Sequence, residues 1–344
     1  MRLGLRVREL AMRVLVLGGT RFIGRAIVHE LAGKGHDLLV AHRGEVEPEG
    51  FPDVAHLHSL RKDLGDHREQ IAAFDPEAVV ETIGLTREGA RIGLDISPGD
   101  IPRVVLSSVD VYRIYDGLRT NTETDPVPVD EEAPVRDVRF PYRGQVPGMD
   151  DYEKLDVEEE YLGAGGTVLR LPMVYGPFDG QRREEFILRR VRAGRERIPV
   201  GAGTWLSSRA FAPDIAVAVR LALATPAARG QIFNVAEHVG PTEVAWVREI
   251  LAAADSKAEL VRVPDEVLPD DLGTTAALAQ HLQIDSCKAR TVLGWSASPR
   301  AETVQTSVDW HLAHPPAEWS DDFTADDEAL EKVVVPAVSS DPEA

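Results

Sequence analysis

The sequence is short of cysteine. Cys287 is the only one in 344 residues, so no internal disulfide can form and a disulfide-stapled secreted scaffold is excluded. Aromatic residues make up only 6% of the chain, and no apolar run is long enough to span a bilayer. Positive charge is scarce as well. There are 38 Lys and Arg against 57 Asp and Glu, a formal net charge of −19. Such a surface repels phosphate backbones and disfavours nonspecific nucleic-acid binding. What remains is 43% hydrophobic residues, in a chain long enough for two domains or one large domain with a subdomain. These traits fit a soluble protein of a reducing compartment, with the cytoplasm as the expected location. The start, MRLGLRVRELAMRVLVLGG, puts Arg2, Arg6 and Arg8 ahead of an apolar run. That run flows into a glycine turn and lacks a small-residue cleavage site. Residues 1–11 therefore read as an extension and Met12 as an alternative start.

Along the chain, short apolar runs alternate with helical patterns. RVLVL at 13–17 is β-branched and leucine-rich, the pattern of a buried strand. GGTRFIG follows, then RAIVHELAGKGH, which puts Ile27, Val28 and Leu31 on one helical face and ends in Gly33 and Gly35. DLLVAHR at 37–43 reads as a second strand, closing a βαβ-length unit. Further runs at 54–60, 78–84, 103–109 and 167–173 repeat the theme. The expected class is α/β, with a Rossmann-type, doubly wound parallel sheet. Residues 113–150 break the rhythm with Pro, Asp, Glu and Arg, and read as a long loop beside the site. A helix is expected from about Asp150 or Asp151 through the stretch YEKLDVEEEYLGAG. Thr242 is an N-cap for EVAWVREILAAA. Residues 314–344 read as an acidic, partly disordered tail, with Trp319 and Phe323 as its packing residues.

The stretch LGGTRFIG suits a dinucleotide pyrophosphate, which must approach backbone N–H groups at a helix N-terminus. Gly18 permits the tight turn, Gly19 lowers bulk, and Gly24 lets helix and strand pack closely. The alternative is a structural turn in a nucleotide-free protein. The acid expected about 20 residues on, for ribose hydroxyls, is absent; AHRGE stands there instead. Arg43, with Arg21 inside the turn, suits the 2′-phosphate of NADP, whose charge pairs well with guanidinium. NADP is thus preferred over NAD, with Glu45 as ribose ligand in the competing reading. Asp63 is a candidate adenine contact or a loop cap.

LGGTRFIG, Asp63-Leu64, LSSVDVY at 106–112, LRLPMVYGP at 169–177, SRAFAPDIAVAV at 208–219 and IFNVAE at 232–237 occur in order. The series resembles the extended short-chain dehydrogenase/reductase superfamily, the NAD-dependent epimerase/dehydratase group, over about residues 12–313. RFIG resembles its atypical branch, which includes the chloroplast stem-loop-binding proteins. The resemblance implies a Rossmann domain of residues 12–176 plus about 208–236. It also implies a smaller substrate-binding subdomain of 177–207 plus about 237–313. By the same resemblance Thr20, Phe22, Ile23, Leu64, Pro172 and Val174 join the cofactor contacts, and Tyr112, Tyr142, Arg182 and Arg209 the substrate contacts. Arg182 and Arg183 suit a phosphate or carboxylate of the substrate, with a solvated helix start as the plain alternative, and Arg209 falls where many sugar-nucleotide members of the group contact the diphosphate. Asp214 and Asn234 read as structural. A homodimer through the helices flanking the sheet is what the resemblance implies for assembly.

Family chemistry uses Ser/Thr, Tyr and Lys. The tyrosine moves a proton, the lysine lowers its pKa and holds the nicotinamide ribose, and the hydroxyl binds the reacting oxygen. Ser108 matches the serine and Lys154 the lysine. The YxxxK tyrosine is missing, because Asp150 stands four residues before Lys154. On a regular helix Tyr152 lies about 200° from Lys154. Several readings stay open: a helix that starts after Tyr152 and turns its ring into the cleft, Tyr142 from the loop, Asp150 as the acid/base, or no redox chemistry. The functions that follow are an NAD(P)-dependent oxidoreductase or epimerase acting on a sugar nucleotide or secondary-metabolite alcohol or carbonyl, a silent NADP-binding sensor or scaffold, or an RNA-associated protein. His29, His36, His56, His58 and His67 show no metal spacing, so no metal is expected.

Overall fold

The computed structural model describes residues 10–45, 50–97 and 99–333. Of the expected extension only residues 10 and 11 fall within it, and residues 334–344 of the tail lie outside the described residues.

Seven parallel strands form the main sheet: β1 (Arg13–Leu17), β2 (Asp37–His42), β3 (Ala55–His58), β4 (Ala78–Glu81), β5 (Arg103–Ser108), β6 (Thr167–Leu171) and β10 (Ile232–Asn234). Their spatial order is β10-β6-β5-β4-β1-β2-β3. The chain winds outward from β1 to β3, then returns and winds the other way from β4. The crevice at the carboxyl ends of β1 and β4 is the topological switch point, where ligands of such sheets bind.

Strand period two sorts the core. Val14 and Val16 face one layer, and Leu15 and Leu17 the other, all with no exposure. The first layer is α1 (Phe22–Gly33) packed against α7 (Ala212–Ala224). The second carries α2 (Arg68–Phe74), α3 (Arg87–Asp95) and α5 (Lys154–Gly163). Burial on both faces explains why these strands read as continuous apolar runs.

The remaining elements are α4 (Arg113–Thr120), β7 (Met173–Tyr175), α6 (Glu185–Arg192), β8 (Arg197–Val200), β9 (Arg209–Phe211), α8 (Glu243–Ala253), β11 (Glu259–Arg262), α9 (Arg300–Ala313) and α10 (Thr324–Leu330). β7 pairs with β9 and β8 with β11. A second core of Ile187, Ile198, Trp246, Ile250, Val304 and Val308 lies among α6, α8 and α9. Residues 209–234 run from β9 through α7 back to the edge of the main sheet. Thr242 Oγ1 accepts from Ala245 N at 3.3 Å, as an N-cap does.

Two local expectations need correction. The loop expected over 113–150 begins with a helix, α4, whose Ile114 is buried. The helix expected from Asp150 or Asp151 starts only at Lys154, with Glu153 as N-cap accepting from Leu155 N. The cause is Glu153 itself: its buried carboxylate pairs with Arg136 and Arg139 and accepts from Phe140 N, which holds Glu153 in extended backbone ahead of the helix. The acidic tail does pack. Asp326 forms a double hydrogen bond with the fully buried Arg190 of α6, at 2.7 and 2.8 Å, and Phe323 lies under Arg189.

Candidate active site

The glycine turn sits between β1 and α1 at the switch point. Gly18 and Gly19 have φ of +81° and +153°, values that glycine adopts without strain. A Cβ on Gly24 would come 2.8 Å from Gly19 Cα, so the helix approaches the turn too closely for any side chain. Arg21 is extended at the N-cap and makes no side-chain cap bond. The leading N–H groups of α1 thus have no cap from that side chain, at the positive end of the helix dipole. Residues 18–24 line a cavity of about 500 Å³ that also touches Arg43, Leu64, Thr82, Leu85 and Leu106. This cradle fits a dinucleotide: no side chain fills the space before the helix, and the anion-binding end faces it.

At the mouth of this cavity, Glu45 pairs with Arg43 at 2.9 Å and with Arg21 at 3.4 Å. All three side chains are more than half exposed. Both expected arginines therefore reach the cavity, and a carboxylate competes for them. Asp63 does not line the cavity; its neighbours Arg61 and Leu64 do. Arg61 is held there by Glu81 and by the Gly89 carbonyl. Val174 lines a second cavity of about 890 Å³, which shares Thr20–Ile23 with the first and adds Arg25, Phe178, Arg182, Arg183 and Trp310. Pro172 is buried and lines neither. Arg182, in a left-handed conformation at φ +48°, donates to the His311 carbonyl and pairs with Glu185.

Two expected substrate residues are core. Tyr112 has no exposure; its hydroxyl donates to Asn234 Oδ1 at 2.7 Å, and Arg170 covers its ring. Arg209 also has none, and it pairs with Glu243 at 2.6 Å over the Trp246 ring. Both are buried and closed to a substrate, though Arg209 Nε has no hydrogen-bond partner among the described residues. Asn234 and Asp214 hold structure: Asp214 accepts from Ser298 N and Oγ at the start of α7.

The late start of α5 reshapes the reacting end. Tyr152 lies outside the helix, two residues before it begins, so the 200° separation does not apply. Its ring is buried, its centroid 6.0 Å from Lys154 Nζ. Ser108, at the end of β5, accepts from Asp110 N at 3.2 Å. Of the open readings, this is the one in which the ring turns inward before the helix begins. Asp150 is corrected: it is exposed on the loop and accepts from Gly144 N at 2.8 Å, far from any helical relation to Lys154. Tyr142 does reach in, and both tyrosines donate to one oxygen. Tyr152 Oη lies 2.8 Å and Tyr142 Oη 3.0 Å from Asp110 Oδ2, and Tyr115 bonds Tyr142 at 2.9 Å.

Asp110 was not foreseen. Its signal in LSSVDVY is a carboxylate between two valines at a strand end. The short 3₁₀ turn Val109–Val111 folds it inward, to 3% exposure. Burial raises its pKa, and Oδ1 has no hydrogen-bond partner among the described residues. Burial, then the neighbouring carboxylate, pushes the Tyr152 phenol well above its usual value. Lys154 is wholly buried and donates to the Gly84 and Leu106 carbonyls at 2.7 and 2.9 Å. Burial lowers its pKa to about 8, against the pull of Asp110. Leu106 lines the nucleotide cavity, so Lys154 stands just behind the cavity wall.

The histidines also differ from expectation. Ring nitrogens of His42, His56 and His58 all lie within 4.8 Å of one another. His42, distant in sequence, completes a set that spacing within HLH alone could not reveal. No helix among the described residues is long and apolar enough to cross a membrane.

A glycine cradle at the switch point of a seven-stranded parallel sheet defines a Rossmann-type fold. Residues 14–92 match the sequence model of the NAD dependent epimerase/dehydratase family, so that region is similar to this family. The chain is 27% identical to the chloroplast stem-loop binding protein of 41 kDa b of Arabidopsis thaliana, over 94% of this chain and 85% of that one. It is 29% identical to the 2'-dehydrokanamycin reductase of Streptomyces kanamyceticus, over 80% and 76%. A UDP-glucose 4-epimerase of Thermotoga maritima, solved with UDP-glucose, shares the fold at 18% identity with a TM-score of 0.67, over 88% of this chain and 99% of that one. Other solved chains of the fold are complexes with NAD.

Proposed function

We propose that the protein is an NADP(H)-dependent reductase of a small polar carbonyl compound, with Tyr152 as the group that delivers the proton. The observation that carries this reading is the gathering of Ser108 and Tyr152 on Asp110, with Lys154 beside the Tyr152 ring, despite the missing YxxxK spacing. A bound nicotinamide supplies the hydride. Gly18–Gly24 hold the pyrophosphate against the N-terminus of α1, and Arg43 and Arg21 engage the 2′-phosphate once they leave Glu45. Ser108 Oγ donates to the carbonyl oxygen. Tyr152 Oη gives its proton to that oxygen as negative charge grows there, and solvent water restores it. Asp110, whose Oδ2 accepts from Tyr152 and Tyr142, orients the phenol, and the Lys154 ammonium compensates its charge.

This arrangement suits reduction better than oxidation. A phenolate beside Asp110 is disfavoured, so Tyr152 is a poor resting base. The reductase name of one relative agrees with this direction. The class of substrate is a secondary-metabolite ketone or a sugar carbonyl, bound in the second cavity near Arg182.

The test is calorimetric titration of the full chain with NADPH and NADH, followed by Tyr152→Phe. The expected result is tighter NADPH binding, lost as a preference in Arg43→Ala, with Tyr152→Phe binding NADPH normally. Tight nucleotide binding with no turnover of any carbonyl panel member supports a silent sensor instead. Salt-sensitive retention of RNA, with no nucleotide binding, supports the stem-loop-binding analogy and overturns the reductase reading.

A further inference from the structure

We infer that His42, His56 and His58 form a binding site for a late first-row divalent metal ion, of the zinc, cobalt or nickel kind, on the edge of the main sheet. The placement follows from strand geometry. His56 and His58 flank Leu57 on β3, so their side chains share one face while Leu57 turns into the opposite core. On neighbouring β2, His42 is the register partner of His58, and Val40 is that of His56. Val40 faces α1, so all three rings stand on the α1 side of the sheet.

The rings are close enough to share one ion. His42 Nε2 lies 2.8 Å from His56 Nδ1, and the His42 and His58 ring centroids are 4.7 Å apart. One nitrogen from each residue falls within 4.8 Å of the other two. Ligands at about 2.0–2.1 Å from a tetrahedral ion sit about 3.3 Å from one another. The His42–His56 pair must open by about 0.5 Å on that arithmetic. Neutral imidazoles are the ligand type that zinc, copper and nickel take, and carboxylate-preferring magnesium and calcium do not fit. Burial grades from buried His42 to exposed His58, which leaves one side for solvent and a fourth ligand. Phe51 packs against His56 at 5.7 Å and closes another side.

The proton accounting is consistent. Gly44 N donates to His42 Nδ1 at 3.2 Å, so the ring carries its proton on Nε2, toward His56. Metal entry replaces that proton at Nε2. The ring proton then resides on Nδ1, and the long bond from Gly44 is released. No net proton leaves the ring. Because His42 also lines the nucleotide cavity, that small movement is felt beside Arg43. The inference does not depend on the reductase reading.

The experiment is titration of the purified full chain with cobalt chloride, read by visible d–d absorption, and with zinc chloride, read by calorimetry. Expected is one ion per chain and a tetrahedral or five-coordinate cobalt spectrum. His58→Gln, an exposed position, weakens binding at least tenfold, and His56→Gln/His58→Gln abolishes the spectrum while circular dichroism is unchanged. Absence of stoichiometric binding in the parent chain overturns the inference and leaves the cluster a hydrogen-bonded structural set. Equal binding by the parent and by His58→Gln overturns it too, and assigns the ion to another site.

Discussion

The two ends of the crevice are built on different principles. At the nucleotide end, backbone does the binding, and its demands are local. Gly18, Gly19 and Gly24 are fixed by φ angles and by an approach of 2.8 Å, all within seven residues of chain. At the reacting end, side chains do the work, and they come from β5, from the 3₁₀ turn behind it, from the long loop and from the start of α5. Their meeting is set by Glu153, whose salt bridges to Arg136 and Arg139 decide where that helix begins. A turn motif survives being read alone. A catalytic spacing such as YxxxK holds only where the helix that gives it meaning has already started.

This contrast predicts where substitutions act. The largest effect belongs to Tyr152→Phe, expected to lower turnover by roughly 10²–10⁴-fold. NADPH affinity, measured by calorimetry, stays within about twofold, since no part of the cradle is touched. Asp150→Asn, by contrast, leaves turnover unchanged; a loss there means that the helix begins earlier than Lys154.

Gly24→Ala reverses the pattern. Its methyl meets Gly19 backbone, and overpacking of this kind costs about 1–3 kcal/mol. NADPH binding weakens by roughly tenfold to a hundredfold on that scale, while the tyrosine cluster keeps its geometry. The measurement is nucleotide affinity beside the near-ultraviolet circular dichroism of the tyrosines.

The pH profile separates the ends as well. Burial brings Lys154 down to about 8, so its charge, and with it the compensation of Asp110, is lost as pH rises past that value. The expected falling limb of kcat/KM therefore lies near pH 8, and Lys154→Arg moves it upward. Stability runs the other way for this group. Between about 8 and 10.5 the unfolded chain holds the proton and the folded one does not, so its contribution to stability grows as pH rises through that window.

Smaller still is the cofactor preference. Arg43 is exposed and shared with Glu45, so Arg43→Ala is expected to cost NADPH about tenfold relative to NADH, whereas Glu45→Gln tightens NADPH a few-fold. The slightest effect is on stability at the Glu184–His311 contact of 3.5 Å. Burial raises Glu184 to about 7 and lowers His311 to about 4. Stability from the first falls as pH rises through 4.5–7, and from the second it rises through 4–6.5, so the two nearly cancel. Glu184→Gln leaves only the rising slope, seen as a melting temperature that climbs over that interval.

Much of the fold was open to reading because it rests on periodicity. Strands β1 to β6 fall within the apolar runs that announce them, and Gly33 ends α1 as its composition suggests. The glycine turn was legible for the same local reason. The errors arose where burial overrides residue type. Tyr112 and Arg209 look like ligands for a substrate, yet each meets a partner more than thirty residues away, Asn234 and Glu243, and is sealed in the core. Asp110 and His42 were passed over because each stands alone in sequence and gains its neighbours only through the 3₁₀ turn or the strand register.

The docking of α10 gives the last helix among the described residues an unexpected standing. Asp326 is as buried as any valine of the sheet, and it shares the guanidinium of Arg190 with Asp271. Removing one partner of such a buried pair commonly costs about 3–5 kcal/mol, with Asp271 retaining part of it here. A premature stop just upstream of Thr324 would thus act as a core lesion rather than as the trimming of a loose end. Mutational tolerance near the terminus should fall, not rise, until residue 330 is passed.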